Sequence, residues 1–569
     1  MDENINNTQA RLRKNQGAKV ETKEYEECKA RFDYAKDNLD DNDDKSVPPL
    51  SFENSWTEGQ RLSFNVKQQW QFLVFFLSLC ISMYFLTIYN ERQLIKIKEE
   101  YAMNVKHEEF WWQKAFIYRI DVGQFVDSNK DGVGDFLGIV AKIELLNSLL
   151  VDAILIENAF SQTESGAILN FYDAHSKYGG LEEFKQMISV LKESGVRVLL
   201  RVRPNQTSKL HNWFVLSETC GDCKEKDYYI WADCSPGKPP NNWKNNRGES
   251  IWNYSEVRKQ CYLSQLGGKL ADLNFRNVNV INEFKNIFKK WLKLGIDGFL
   301  LDELDLLYEE EDLSVDEVVD DVEVNEEGET IKIDTSKELT RNRHEVYDLL
   351  ALWREVFDTY QIKNNVQLFI SCQFLEPDMP SESARYFDTG IDAPIKTFNV
   401  VPKCGSMCFY QEIDSWITEV PSNKVSSWGL DGKHSVLHDL LIMTLPGTAF
   451  IQRNLSDDSA LKTFERLSNL RKEHSFLNGK FNYAVITNSI LSYVRYARRF
   501  LPYLVAVNFG EKTESIDFTE STNYMSGEIM AVTNPTGKSF NQLYQKVGLK
   551  DLKLNDGEGV VIRLLPDDL

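Results

Sequence analysis

The sequence predicts an α/β protein in three successive parts. These are one membrane-crossing helix, a parallel barrel or doubly wound sheet of repeated βα units, and a small antiparallel β domain. Three observations predict it. An uncharged run of 23 residues stands between Lys67 and Glu91. After Trp111, strand-like runs alternate with amphipathic helical ones, the pattern of parallel α/β folds. From about Asn482 the pattern changes to short β runs with few helical stretches among them.

Residues 1–68 are polar, rich in Asn, Asp, Glu and Lys, and read as a disordered N-terminal region. The span is placed at 69–90. Its apolar centre, Phe72 to Tyr89, is about long enough to cross a bilayer as one helix. Trp70, Tyr84 and Tyr89 suit the interfaces. Some 70 residues precede the run and no small-residue cleavage site follows it, which argues against a signal peptide. Ser78 and Ser82, at i and i+4, form a small-residue stripe that permits close approach of a partner helix. Residues 91–110 read as a neck. The cations flanking the span, Arg61 and Lys67 before it and Arg92, Lys96 and Lys98 after it, do not orient it. Orientation comes instead from three sequons, at Asn205, Asn253 and Asn454, and from seven of the nine cysteines, all C-terminal to the span. Both place the large region in an oxidising compartment outside the cell.

The barrel region is placed at 111–480. "AFIYRI" and "DAILIENAF" read as buried strands. "LEEFKQMISVLKESG" is an amphipathic helix stopped by Gly195, and "VRVLLRV" the next strand. "VINEFKNIFKKWLKLG" then "IDGFLLD", and "VYDLLALWREVFDTY" then "VQLFIS", repeat the unit. The β domain is placed at 481–569, on "ILSYVRYA", "YLVAVNFG", "EIMAVTN" and "GVVIRLL". The formal charge is −21, from 86 acidic and 65 basic residues, and this excludes a duplex-binding role. Much of the acidity is local: Leu301 to Thr330 holds 15 acids and no base, and reads as a solvated insertion at about 303–335.

"DSNKDGVGDFLGI" sets oxygen donors at alternate positions. Asp127, Asn129, Asp131, the Val133 carbonyl and Asp135 have the ligand spacing of a calcium loop, with Gly132 allowing the sharp turn. Gly138 stands at the twelfth position, where an EF-hand needs Glu, so the loop is not an EF-hand. An ordinary Asx-rich turn has the same composition. Cys220 and Cys223 in "CGDC", and Cys404 and Cys408 four apart, are each close enough in sequence to pair locally, and Cys372 is left over.

These segments together resemble the α-amylase family of glycoside hydrolases. "KDGVGDFLGIVAKIELLNSL" is similar to that family's first loop and helix, "VRVLLRVRPNQTSKLHNWF" to its third strand and "GIDGFLLD" to its fourth. "YYIWADC", "PPNNW" and "ADLNFRN" resemble its inserted subdomain, here about 204–270. The resemblance implies an α-amylase-like (β/α)8 barrel followed by a C-terminal antiparallel β-sandwich. The family's chemistry needs a carboxylate nucleophile and a carboxylic acid. Asp302 stands at the nucleophile position, but Gln373 replaces the general acid, and an amide cannot deliver a proton as an acid does. Leu300 stands where an Arg belongs, Arg201 replaces an Asp, and Gln206 a His. Gly166 and Ala167 replace a stacking Tyr and its Asp neighbour. In "WGLDGKH" the family's His-Asp pair is out of place. No catalytic residue is assigned.

A barrel of this family without its catalytic set, carried on a signal-anchor, resembles the heavy subunits of heteromeric amino-acid transporters. "WWQKAFIYRI", "LLIMTLPGT" and "LKLNDGEGVVIRLLP" carry that likeness. It implies a single-pass type II glycoprotein of the plasma membrane whose partner is a polytopic light subunit, in a heterodimer or a dimer of heterodimers. No nucleic acid is expected. No Cys lies between Tyr89 and Trp112, where the family places one for a disulfide to the light subunit, so non-covalent assembly is expected. The resemblance further implies a structural Ca²⁺ held by Asn205, Asp272, the carbonyls of Leu306 and Leu307, and Glu309, and a disulfide between Cys234 and Cys261. Asn205 is thus both a candidate ligand and a candidate glycan site. The alternatives are a membrane-anchored α-glucosidase of maltase type, or a cell-surface scaffold without a transporter partner.

Overall fold

The computed structural model describes Phe110 to Pro566, apart from residues 246, 319–322, 325–329, 332–336, 375–382, 400–404, 432–434, 454–457 and 534–541. It also describes residues 71, 73–75, 77, 78 and 81–85. The chain forms two compact units, Met1–Ile95 and Lys96–Leu569. In the first, the described residues between 71 and 85 are helical and exposed, and Ser78 Oγ donates to the Phe75 carbonyl of its own helix (2.9 Å). Among the described residues no helix is long and apolar enough to cross a membrane. Half of the expected span, 69–90, and all of the neck, 91–110, except Phe110 lie outside the described residues.

The second unit is built on an eight-stranded parallel sheet. Its strands are β1 (Phe116–Ile120), β2 (Ala153–Ile156), β3 (Arg197–Val202), β4 (Gly298–Asp302), β5 (Phe369–Gln373), β6 (Ile395–Asn399), β7 (Ser427–Asp431) and β8 (Thr448–Ile451). The order β5-β4-β3-β2-β1-β8-β7-β6 is that of a barrel opened between β5 and β6. At that seam Ser371 Oγ donates to the Ala393 carbonyl (2.6 Å) and the Asp392 amide to that of Ile370 (2.8 Å). The doubly wound alternative is therefore set aside. The strands are apolar on both faces, as parallel strands covered on both sides must be.

Helices follow the strands with the expected periodicity. α1 (Gly180–Glu193) buries Phe184, Met187, Ile188 and Leu191; α2 (Val278–Leu294) buries Phe284, Ile287, Phe288 and Trp291. Gly295, at φ 108°, ends α2 in the left-handed conformation that glycine adopts without strain. α3 (Glu345–Asn364) sets Trp353 against Phe284 and Phe288 of α2. α4 (Ser406–Glu419), α5 (Val436–Thr444) and α6 (Asp458–Arg471) complete the ring.

After β3 the chain leaves the barrel. Gln206–Ser208 pairs antiparallel with Leu270–Asp272, and between them a three-stranded sheet forms from Trp231–Ala232, Cys261–Leu263 and Trp252–Tyr254. The C-terminal part is a six-stranded antiparallel sheet: β9 (Lys480–Ile486), β10 (Ile490–Tyr496), β11 (Tyr503–Asn508), β12 (Ser526–Val532), β13 (Lys546–Gly548) and β14 (Gly559–Leu565), ordered β9-β10-β11-β14-β12-β13. One face joins the barrel core through Tyr493, Val505 and Val561; the other covers Phe518, Leu549, Leu552 and Leu554. The buried Tyr493 hydroxyl meets Thr444 Oγ1 of α5 at 2.6 Å.

Candidate functional site

A parallel barrel brings the C-terminal ends of its strands around one mouth. Four adjacent strands end there in alternating charge: Arg119 on β1, Glu157 just past β2, Arg201 on β3 and Asp302 on β4. Arg119 Nε donates to Glu157 Oε1 (2.5 Å), and Arg201 Nη1 to Glu157 Oε2 (2.6 Å). Arg201 Nε donates to Asp302 Oδ2 at 2.8 Å, and its Nη2 reaches the same oxygen. Arg203 Nε lies 3.4 Å from that oxygen and 3.9 Å from Glu303 Oε1. Glu303, at φ 58°, turns inward, and Gln206 Nε2 donates to its Oε2 (3.3 Å).

All these carboxylates are buried. Burial alone would raise the Glu157 pKa, but Arg119 and Arg201 hold it down at about 2. Glu303 is pushed up to about 7, by burial and then by the neighbouring Asp302 charge. Glu303 is therefore poised to change charge near neutral pH.

Asp302 and Gln373 are register partners on β4 and β5, so the two sequence-predicted positions do come together. Gln373 is 4% exposed and its Oε1 has no partner among the described residues. Leu300 packs inside the barrel with Ile117, Leu199 and Phe369. The positive charge missing at Leu300 reaches Asp302 from β3 instead, through Arg201. Sequence reasoning missed Arg119, Glu157 and Arg203. The signal was present, since each ends or just follows a strand whose neighbours also end in charge. His434 lies outside the described residues.

Residues 119–432, more than half of the chain, match the family described as the catalytic domain of alpha amylase. The chain belongs to the alpha-amylase family. Within reach of that family it is similar to the human amino acid transporter heavy chain SLC3A1, 30% identical over 365 residues. That match covers 59% of this chain and 52% of the human one, so the chain spans about half the length of the heavy chains it matches. It is also similar to Maltase A1 of Drosophila melanogaster, 24% identical over 548 residues, covering 74% of this chain and 94% of the maltase. Among solved structures, isomaltulose synthase from Klebsiella sp. LX3 superposes with TM-score 0.67 at 17% identity, over 81% of this chain and all of that one. That likeness shows the shared fold.

A second constellation lies where the inserted subdomain leaves the amylase barrel. The hairpin of Gln206–Ser208 with Leu270–Asp272 sets Asn205 beside Asp272, and the Leu273 amide donates to the Asn205 carbonyl (2.8 Å). Both amide atoms of Asn205 and Oδ1 of Asp272 are buried with no well-formed hydrogen bond among the described residues, although the Asn205 side chain lies close enough to Asp272 to lower its pKa. Burial pushes Asp272 up to about 7 and Glu309 to about 8. Gln265 Nε2 donates to the Leu306 carbonyl (3.1 Å) beside them. Buried oxygens of Asp272, of the Asn205 amide and of Glu309, which has Arg276 Nε 4.0 Å away, form a donor set that fits a hard divalent cation. The burial of Asn205 also corrects its glycan assignment, because a 1% exposed side chain cannot carry a sugar. Asn253, on the Trp252–Tyr254 strand, is half-buried against Gly268. Asn454 lies outside the described residues.

The "DSNKDGVGDF" loop satisfies its own amides. Asp127 accepts from the amides of Lys130 and Gly132, Asn129 from Asp131, and Asp131 from Val133. Asp135 is buried apart from them, accepting from Ser128 and capping the helix Phe136–Val140 through Gly138. Among the described residues no three acidic side chains are placed to hold a metal ion, so Asp127, Asp131 and Asp135 form no such cluster.

Cys234 and Cys261 are disulfide-bonded, stapling the inserted sheet. Cys408 is also bonded, and Cys404 lies outside the described residues. Cys220 and Cys223, expected to pair, are both free thiols. Cys223 Sγ points back at the Leu216 carbonyl, which also accepts the Cys220 amide, so the helix end rather than a bond organises this turn. Cys372 is free and buried on β5.

Proposed function

We propose that this chain is a non-catalytic heavy subunit of a heteromeric amino-acid transporter. In this reading it is a single-pass type II protein of the plasma membrane with its amylase-like unit outside. It carries a polytopic light subunit to the surface and stabilises it there without a covalent link. The observation that carries the reading is the Arg201–Asp302 pair facing Gln373. The carboxylate at the nucleophile position is bound by a guanidinium from β3, Arg201, and not by an Arg two residues before it, where Leu300 stands. The leaving group needs a proton, and the facing residue is an amide. The similarity to SLC3A1 supports the reading by sequence; the uncharged run between Lys67 and Glu91 supports a membrane anchor.

Asn205, Asp272, Glu309 and the carbonyls of Leu306 and Leu307 would hold Ca²⁺. The ion would supply charge neutralisation for two buried carboxylates and tie three distant segments together. Its role in this reading is structural.

Amino-acid uptake in cells expressing this chain with a panel of light subunits, beside surface biotinylation of each, tests the reading. Uptake and surface delivery of one light subunit only on co-expression is the expected result. The similarity to maltases over most of their length makes an α-glucosidase the second reading. Hydrolysis of a chromogenic α-glucoside by the purified chain would support that one and overturn the first.

A further inference from the structure

Two adjoining cavities of about 320 Å³ each open at the barrel mouth and share Gly166, Ile168 and Arg203. The first is also lined by Arg119, Asp121, Glu157 and Arg201, the second by Gln206 and residues 266–270. At Gly166 an added Cβ would meet nothing within 4 Å, so the join between them is open.

The donors and acceptors left over at this mouth decide what fits it. Each oxygen of the two lining acids already accepts a hydrogen bond. Glu157 accepts from Arg119 and Arg201, and Asp121 from Gln124 (2.9 Å) and Asn158 (2.8 Å). Asp302 accepts from Arg201 through Oδ2 and from the Glu303 amide through Oδ1 (3.1 Å). The guanidiniums are less fully used. Arg119 is 4% exposed, and its Nη1 is buried with no hydrogen-bond partner. Arg203 donates through Nε alone, and neither of its Nη groups makes a hydrogen bond among the described residues. The acceptors left over carry no charge. They are the side-chain oxygens of Gln206 and Gln373, both buried without a partner among the described residues. The unused donors are thus cationic and the unused acceptors neutral.

We propose that the mouth binds a hydroxylated carboxylate, a sugar acid, in preference to a neutral sugar. Its carboxylate takes charge-assisted hydrogen bonds from the free Nη groups of Arg119 and Arg203. Its hydroxyls donate to the amide oxygens of Gln206 and Gln373. A neutral sugar offers no charged acceptor and leaves the buried Arg119 donor poorly matched. An amino acid brings an ammonium group for which no lining carboxylate oxygen is free. The proposal goes beyond the heavy-subunit reading and does not depend on it.

Calorimetric titration of the full-length chain in detergent, at matched ionic strength, tests it. The probes are sodium glucuronate, glucose, L-leucine and sodium chloride. Saturable binding of one glucuronate per chain is expected, about tenfold tighter than any binding of glucose. Arg203→Gln should weaken glucuronate binding about tenfold, and Arg203→Lys, which keeps the charge but not the fork, should recover part of the loss. The Arg203 side chain is 42% exposed, so both variants should keep the fold. An unchanged thermal unfolding temperature without ligand separates lost binding from lost fold. No saturable glucuronate binding, glucose or leucine binding as tightly as glucuronate, chloride binding as glucuronate does, or an Arg203→Gln chain binding as the original does would each overturn the proposal. None of these outcomes touches the heavy-subunit reading, which stands or falls on surface delivery of a light subunit.

Discussion

Arg201 Nη1 donates to Glu157 Oε2 at 2.6 Å while its Nε donates to Asp302 Oδ2 at 2.8 Å, so one guanidinium bridges two buried carboxylates from different strands. Removing it would leave both charges buried and short of a partner. Arg201→Ala should therefore destabilise the amylase-like unit by about 3–5 kcal/mol. Urea unfolding checks this; a loss near zero would mean water takes the place of the guanidinium.

Restoring the acid alone should not restore catalysis. Gln373→Glu returns a carboxyl opposite Asp302, but Arg201 still occupies the nucleophile's oxygen. Turnover of p-nitrophenyl α-glucoside by this variant is expected to stay at the blank rate.

Glu157 carries a pH dependence. Its folded pKa is about 2, below the ordinary 4.5, because Arg119 and Arg201 outweigh the cost of its burial. A depressed carboxylate pKa contributes stability above the unfolded value and loses it as pH falls through the folded one. The contribution, about 3 kcal/mol at neutral pH, should disappear between about pH 4.5 and 2. Glu157→Gln should be less stable at pH 7 and flatter across that window, as read by chemical denaturation at each pH.

Calcium should stabilise the fold through Asn205, Asp272 and Glu309. Calcium at a hundredfold its dissociation constant should add about 2.7 kcal/mol, and a chelator should remove it. Asn205→Ala should abolish the calcium-dependent rise in Tm. An equal rise in that variant would move the ion elsewhere.

The staple between Cys234 and Cys261 closes a 27-residue separation. Cys261→Ser should cost about 3–4 kcal/mol by the loop-closure argument. Differential scanning calorimetry checks it, and Cys220→Ser, which breaks no bond, should cost far less.

The barrel was legible because its units are local. "LEEFKQMISVLKESG" and "VRVLLRV" each carry their own periodicity and stop signal, and became α1 and β3. The expected partnering of Cys220 with Cys223 failed because adjacency in sequence does not settle whether two thiols bond. The double reading of Asn205 was resolved by burial, a property of packing that a sequon does not encode.

The sequence by itself determined that Asp302 would end a buried strand and that the residue opposite the nucleophile would be an amide. Those are facts of residue identity and strand register. Only the tertiary structure decided what Asp302 touches. Arg119, Glu157, Arg201 and Asp302 span more than 180 positions, yet parallel closure of four strands sets them side by side at one mouth. The pairing of charges that far apart is chosen by strand order and by burial, which forbids any of them to remain alone.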